Sequence, residues 1–301
     1  MADPDHPFPV FRLDRRWLRR SFDRASTGYD AAALLQTRVR SELLLRLDFF
    51  RLQPDVVLDL GCGTGEAAGE LRQRFPRALQ LAMDLAPGML AAARRRQRFW
   101  RRTPLLCADA MQLPLADGSV DLVYSNLMLQ WCDRPAAVFS EIRRVLRPGG
   151  LLLASTFGPA TLQELRAAWS RVDSAPHVSE FVDLPQLASA AMAGGLAEPV
   201  LDVEQEVRHY RGVAELLQEL RALGARNARH DRRHSLTGKS RFGRMIAGYE
   251  GARDARGLPA TYEIFFLSAF GAVGDGSSIQ HQPATGEHVV PAHNLAIRKR
   301  P

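Results

Sequence analysis

The sequence predicts an α/β fold, a mostly parallel sheet covered by helices on both faces. Two observations carry that expectation: short apolar runs alternate with stretches of helical period, and the first such run enters a helix through a glycine-rich turn. Composition agrees, since 46% of the 301 residues are hydrophobic and 24% are charged, enough apolar surface for a core and enough charge to keep it in solution.

Residues 17–47 read as helix, with Ala31, Leu34, Leu35, Val39, Leu43, Leu44 and Leu47 recurring near the 3.6-residue period. Strands are expected at 56–60, 79–83, 105–108, 120–125 and 151–157. Between them, helix 66–74 stops before Pro76, and helix 135–146 starts on a first-turn proline and ends at Pro148, Gly149 and Gly150. Beyond the fifth strand come helices at 161–172 and 184–193, a strand at 200–206, helices at 214–223 and 240–253, and a last strand at 261–270. The chain therefore reads as one domain over 1–273: N-terminal helices (17–50), a cofactor-binding half (51–157) and a substrate half (158–273) with a helical, basic insertion at 207–258. The stretch 274–301, rich in Gly, Ser, Pro and His, reads as a loosely held tail.

Several function classes fall away on composition. No apolar run approaches the roughly 18 residues of a membrane span, and the first ten residues carry Asp3, Asp5 and prolines where a signal peptide carries an apolar stretch. The cysteines Cys62, Cys107 and Cys132 are odd in number and lack metal-ligand spacing, which fits free thiols in a reducing cytoplasm and argues against a metal site. The net charge of +7 is uneven: Arg226, Arg229, Arg232, Arg233, Lys239, Arg241 and Arg244 crowd one stretch against Asp231 alone, and further basic runs occupy 12–24 and 94–102. Such runs suit an acidic partner, a nucleic acid or an acidic carrier protein, or else a solvated arginine-rich surface.

The sequence VVLDLGCGTGEAAGEL joins strand to helix through Gly61, Gly63 and Gly65. Glycines let the backbone turn sharply and approach a ligand closely, while the helix start offers free N–H groups to an anion. A dinucleotide fingerprint needs a third glycine where this chain has Glu66, whose charge opposes a pyrophosphate; the spacing instead suits a phosphate-free cofactor, S-adenosylmethionine. Nineteen residues past Gly65, Asp84 ends the second strand, where a carboxylate accepts from ribose hydroxyls. Asp109 ends the third strand, placed for the adenine amino group, with Leu85 and Ala110 flanking the ring, and the fourth strand ends beside Asn126. The cofactor set is read as Asp59, Gly61, Cys62, Gly63 and Gly65 from the turn, Asp84, Leu85 and Met89 from the second unit, and Asp109, Ala110, Asn126 and Leu127 from the third and fourth. Cys62 is read as a small packing residue of that turn, with no base placed near it by sequence.

LDLGCGTG, ADAMQLPLADGSVDLVYSN and RRVLRPGG resemble the shared motifs of the Rossmann-like class I methyltransferases. That resemblance implies a seven-stranded sheet with an antiparallel last strand, N-terminal helices and a helical insertion before that strand. More specific likenesses run over about residues 20–270: FDRASTGYDAAALLQ, NLMLQWC, FGPATLQELRAAW, PHVSEF, and ALGARN with LTGK are similar to the biotin-pathway malonyl-carrier-protein O-methyltransferases. The family is understood to esterify the free carboxylate of a malonyl thioester, on a carrier protein or coenzyme A. Family members often carry Asn-Arg where this chain has Ser179 and Glu180, so the resemblance implies that another cation serves here.

The same resemblance puts Tyr29, Gln130, Trp131 and His177 around the reacting centre. It also makes the basic insertion, through Arg226, Arg229, Arg232, Arg233 and Lys239, the dock of an acidic carrier protein, with no call for nucleic acid or membrane. Trp131 alternatively packs on the sheet and His177 caps a loop. Two sister activities share parts of the pattern, an arginine-hydroxylating assembly factor of respiratory complex I and a quinone C-methyltransferase. A non-catalytic RNA-binding module that retained the fold also suits the basic runs.

Overall fold

The computed structural model describes residues 12–97, 102–233, 235 and 237–272. The stretch expected to be a tail, 274–301, lies outside the described residues. In place of one long N-terminal helix there are three, α1 (Arg15–Ala25), α2 (Tyr29–Ala32) and α3 (Leu34–Arg46), because the chain turns through Thr27 and Gly28 and again at Ala33. Five strands and three helices follow: β1 (Val56–Leu60), α4 (Ala67–Arg74), β2 (Leu79–Asp84), α5 (Pro87–Arg96), β3 (Leu105–Cys107), β4 (Val120–Ser125), α6 (Pro135–Val145) and β5 (Leu146–Phe157). The substrate half adds α7 (Gln163–Ser170), α8 (Leu184–Ala193), β6 (Leu196–Tyr210), α9 (Val213–Ala222), α10 (Lys239–Glu250) and β7 (Leu258–Gly271).

The strands form one sheet in the order β3-β2-β1-β4-β5-β7-β6, with β7 antiparallel to both of its neighbours. Strand direction explains the burial. Because side chains alternate across a strand, consecutive apolar residues feed opposite layers, and both layers are dry here. Val57, Leu122, Leu151 and Leu153 face the layer built by Leu35, Val39 and Leu43 of α3. Leu58, Val123, Leu152 and Ala154 face Val138, Phe139 and Ile142 of α6 and Leu187 and Ala190 of α8.

Two strands are longer than hydrophobicity suggests. β6 is the sheet edge, with Val200, Val203 and Val207 exposed, so its apolar pattern marks only the middle of a strand that runs from Leu196 to Tyr210. Its register slips at a bulge between Ala197 and Val200, where Glu198 takes φ 51°. β5 starts at Leu146 rather than 151, since Leu146 already pairs with Val120 across a register shift.

Parallel strands of this kind place their carboxyl ends on one side, and the order reverses between β1 and β4. A ligand crevice opens at that switch point.

Candidate active site

The loop after β1 sits at the switch point. Gly61 has φ 77°, and a Cβ there would stand 2.3 Å from Cγ of Met128, so only glycine fits. Gly63 has φ 53°, and its missing Cβ would meet nothing within 4 Å, because that side of the turn opens into a cavity. Asp84, at the end of β2, accepts from the Gly63 N–H at 2.9 Å and from the Ala86 N–H at 2.8 Å. Each of its oxygens keeps a second lone pair for a ligand hydroxyl. Burial raises its pKa, partly offset by these backbone donors.

A cavity opens above the turn, where the switch point places a ligand site. Of the twelve residues expected around a cofactor, Gly61, Gly63, Asp84, Leu85, Met89, Asp109, Ala110, Asn126 and Leu127 line it. Asp59, Cys62 and Gly65 do not. Cys62 packs behind the turn against Ala82, Leu90 and Leu105, and burial pushes its thiol well above the ordinary range, so a thiolate is not on offer. Gly65 lies against Ala93 of α5. Asp59 is buried beneath with one carboxylate oxygen unpartnered, and desolvation together with the charge of Asp84 raises its pKa to about 7 despite Arg40.

Glu66, which bars a pyrophosphate, is held by Arg40 and reached by Arg96 at 3.6 Å. The neighbouring Thr64 donates to Asp30 of α2 at 2.6 Å, tying the N-terminal helices to the turn. On β4, Asn126 donates to the Gln36 carbonyl at 3.1 Å and accepts from the Ser155 hydroxyl at 2.9 Å. That fixes the strand end on which Leu127 takes φ 50°.

The roof of the cavity is α1 and α2, contributing Arg15, Leu18, Arg19, Phe22 and Tyr29. Apart from Tyr29, none of these stood out in the sequence; the only signal was a basic run without a partner. Arg15 spans the opening, donating to Asp109 at 2.7 Å and to Asp133 at 3.1 Å. Asp109, read from the sequence as the partner of an adenine amino group, therefore meets a guanidinium of the protein itself. Tyr29 packs with Ala25, Ala86 and Met89, and burial with the nearby carboxylates raises its phenol pKa, so the hydroxyl stays protonated.

The other three predicted positions separate. Trp131 lies edge-on to Phe22, with ring centroids 5.3 Å apart, and is shared between the first cavity and a second. His177 also lines the second cavity, stacked at 3.7 Å on Trp169 and bonded at 2.7 Å to Asp173. Gln130 lines neither. Its amide donates to the Leu127 carbonyl at 2.6 Å and accepts from Thr156 at 3.2 Å, so it serves the strained residue beside it.

Of the basic insertion, Arg229 is paired with Glu180 and Asp231, Arg232 with Asp14, and Arg233 lies 3.6 Å from Asp173. These three are committed to carboxylates of the protein itself. Lys239 opens α10 in an exposed position. Arg226 lines two cavities. Glu180, standing where the resemblance led us to look for an arginine, thus has the guanidinium of Arg229 beside it, 2.7 Å away.

A family model described as a methyltransferase domain matches residues 58–154. The malonyl-[acyl-carrier protein] O-methyltransferase of Laribacter hongkongensis is 46% identical over 269 residues, spanning 87% of this chain and 91% of its own length. That of Xylella fastidiosa is 40% identical over 290 residues, with 96% and 98% covered. Among solved structures, the YcgJ protein of Bacillus subtilis superimposes with a TM-score of 0.55 at 16% identity, covering 79% of this chain and 100% of that one, a likeness of fold.

Proposed function

This chain belongs to the malonyl-[acyl-carrier protein] O-methyltransferases, and from that premise we propose that it esterifies the free carboxylate of a malonyl thioester carried on an acyl-carrier protein. It is an S-adenosylmethionine-dependent methyltransferase. The resulting methyl ester masks a charged chain end, which fits a step in making a biotin precursor. Near-full-length similarity to the relatives, joined to a cavity on the switch point, carries the reading.

The residues present suit the cofactor. Gly63 leaves room for it, Asp84 offers two free lone pairs to its ribose, and Leu85, Met89 and Ala110 supply apolar walls for its base. When bound, it supplies a methyl group activated on a sulfonium. The chain's own part is positioning. A malonyl half-acid is ionised near neutral pH, so no general base is required, and the protein must instead hold the carboxylate in line and strip it of water. Trp131, wall to both cavities, and Phe22 against it make the passage apolar, while Tyr29 closes the cofactor side under α2.

No described helix is long and apolar enough to cross a membrane. The test is direct: incubate purified protein with methyl-labelled cofactor and malonyl-acyl-carrier protein, and look for a base-labile ester on the carrier. Label transfer is expected. An inert carrier alongside oxidation of an arginine-containing peptide overturns the reading in favour of the assembly-factor activity.

A further inference from the structure

A third cavity adjoins the two already described. It is lined by Ser21, Arg24, Ala25, Thr27 and Gly28 from the end of α1 and its turn, and by Arg221, Ala222 and Arg226 from the end of α9 and its loop. Its three guanidiniums come from segments about two hundred residues apart in sequence, yet no carboxylate lines it. Among the described residues none of the three forms an ion pair, whereas Arg229 and Arg232 of the neighbouring loop each do. Desolvation, and after it the like charges of Arg221 and Arg24, hold the Arg226 pKa down. Like charges kept together without a counter-charge mark a place where an anion completes the electrostatics.

Connectivity says which anion. Arg221 and Arg226 also line the second cavity, whose wall at Trp131 is shared with the cofactor cavity. The cofactor cavity and the arginine cavity have no lining residue in common. The second cavity therefore links the two, from the arginines to Trp131, along mostly apolar walls such as Leu162, Leu165, Phe181 and Leu220. A carboxylate that receives the methyl group has to lie at the cofactor end, and three guanidiniums on it would quench its nucleophilicity. The anion at the arginine end belongs to the other end of the same substrate.

We propose that Arg24, Arg221 and Arg226 bind the phosphate that ends the pantetheine arm of the thioester, so that the arm threads the second cavity with its malonyl group at Trp131. This rests on the malonyl-thioester reading above. Guanidiniums suit a phosphodiester because their fork of donors matches its oxygens, and each such charge-assisted contact is worth about tenfold in affinity. Arg229, Arg232 and Arg233 take no part.

Three thioesters with one acyl group separate the possibilities: malonyl-acyl-carrier protein, malonyl-coenzyme A, and malonyl-pantetheine, which lacks the phosphate. For the double variant Arg221→Ala, Arg226→Ala, the KM for both phosphate-bearing substrates rises about tenfold or more, while that for malonyl-pantetheine moves by less than about twofold. Arg24→Ala, on a different element, reproduces part of the effect. Equal loss on all three substrates, or no loss on any, overturns the proposal, as does a loss confined to the carrier protein, which would place the contact on the carrier's own surface. Calorimetry with 4′-phosphopantetheine and pantetheine decides the question even if no thioester is methylated. Tighter binding of the phosphorylated arm, abolished in the double variant, upholds the site, whereas equal binding removes it. Absence of turnover on every thioester by wild-type protein counts against the methyl-transfer reading instead.

Discussion

Gly61 and Gly63 stand two residues apart in one turn and do different work. A methyl group at Gly61 runs into Met128, so Gly61→Ala acts on the fold, with a left-handed backbone penalty of about 1–2 kcal/mol added to the clash. At Gly63 the methyl group enters empty space that the cofactor is to fill. Gly63→Ala, which carries the same backbone penalty without the clash, should therefore lower the melting temperature less than Gly61→Ala yet weaken S-adenosylmethionine at least about tenfold; calorimetric titration beside a thermal melt tells them apart.

Asp59 makes a second prediction at this scale. Its pKa of about 7 lies above the unfolded value of 3.8, so the folded protein holds a proton that the unfolded chain has released between those limits. The contribution to stability is whole below the lower value, declines as pH rises towards about 7 and is level beyond. Asp59→Asn does not titrate, so relative to it the wild type should lose about 2 kcal/mol between about pH 5 and about pH 8 in urea unfolding. A constant difference across that range would mean that Asp59 is ionised throughout.

At the level of elements, the α/β alternation was legible because the central strands β1, β4 and β5 are buried on both faces and the helices between them are bounded by proline. The roof was not. Arg15, Leu18, Arg19 and Phe22 belong to a helix whose role appears only once α1 is laid across the strand ends. What holds it there is local and long-range at once: Asp14 caps the helix by accepting from the Trp17 N–H at 2.9 Å, and it receives Arg232 from the insertion at 3.0 Å. Asp14→Ala should cost about 1–2 kcal/mol, mostly through looser docking of α1. Faster amide exchange over 15–25 and a several-fold weaker cofactor are expected, with the sheet's exchange unchanged; uniform destabilisation would assign Asp14 to the fold as a whole.

For the molecule entire, charge was readable in amount but not in allegiance. The sequence displays a basic insertion, and only three-dimensional pairing separates Arg229, Arg232 and Arg233, which meet internal acids, from Arg226, which meets two more arginines. Strand-end residues were recoverable because parallel topology brings every such end to one crevice, whereas pairings between distant loops leave no periodic trace. Exposed cations acting on an acidic carrier are screened by salt. The KM for the carrier substrate should climb steeply between low and physiological ionic strength while cofactor affinity changes little, and a flat profile would speak for an uncharged dock.

The bridge between Leu13 and Arg229, with the Asp14 N–H on the Ala228 carbonyl at 2.8 Å, has a meaning for the order in which the protein is made. A chain leaving the ribosome exposes its first helices more than two hundred residues before the loop that fastens them exists. Until that loop emerges, the roof is held by its ties to the first half of the chain alone, such as Arg15 on Asp109 and Asp133 and Asp30 on Thr64, and closing so large a loop is a late, slow event. Capacity to hold the nucleoside should thus arise at the end of synthesis, not when the glycine turn and its strands first fold.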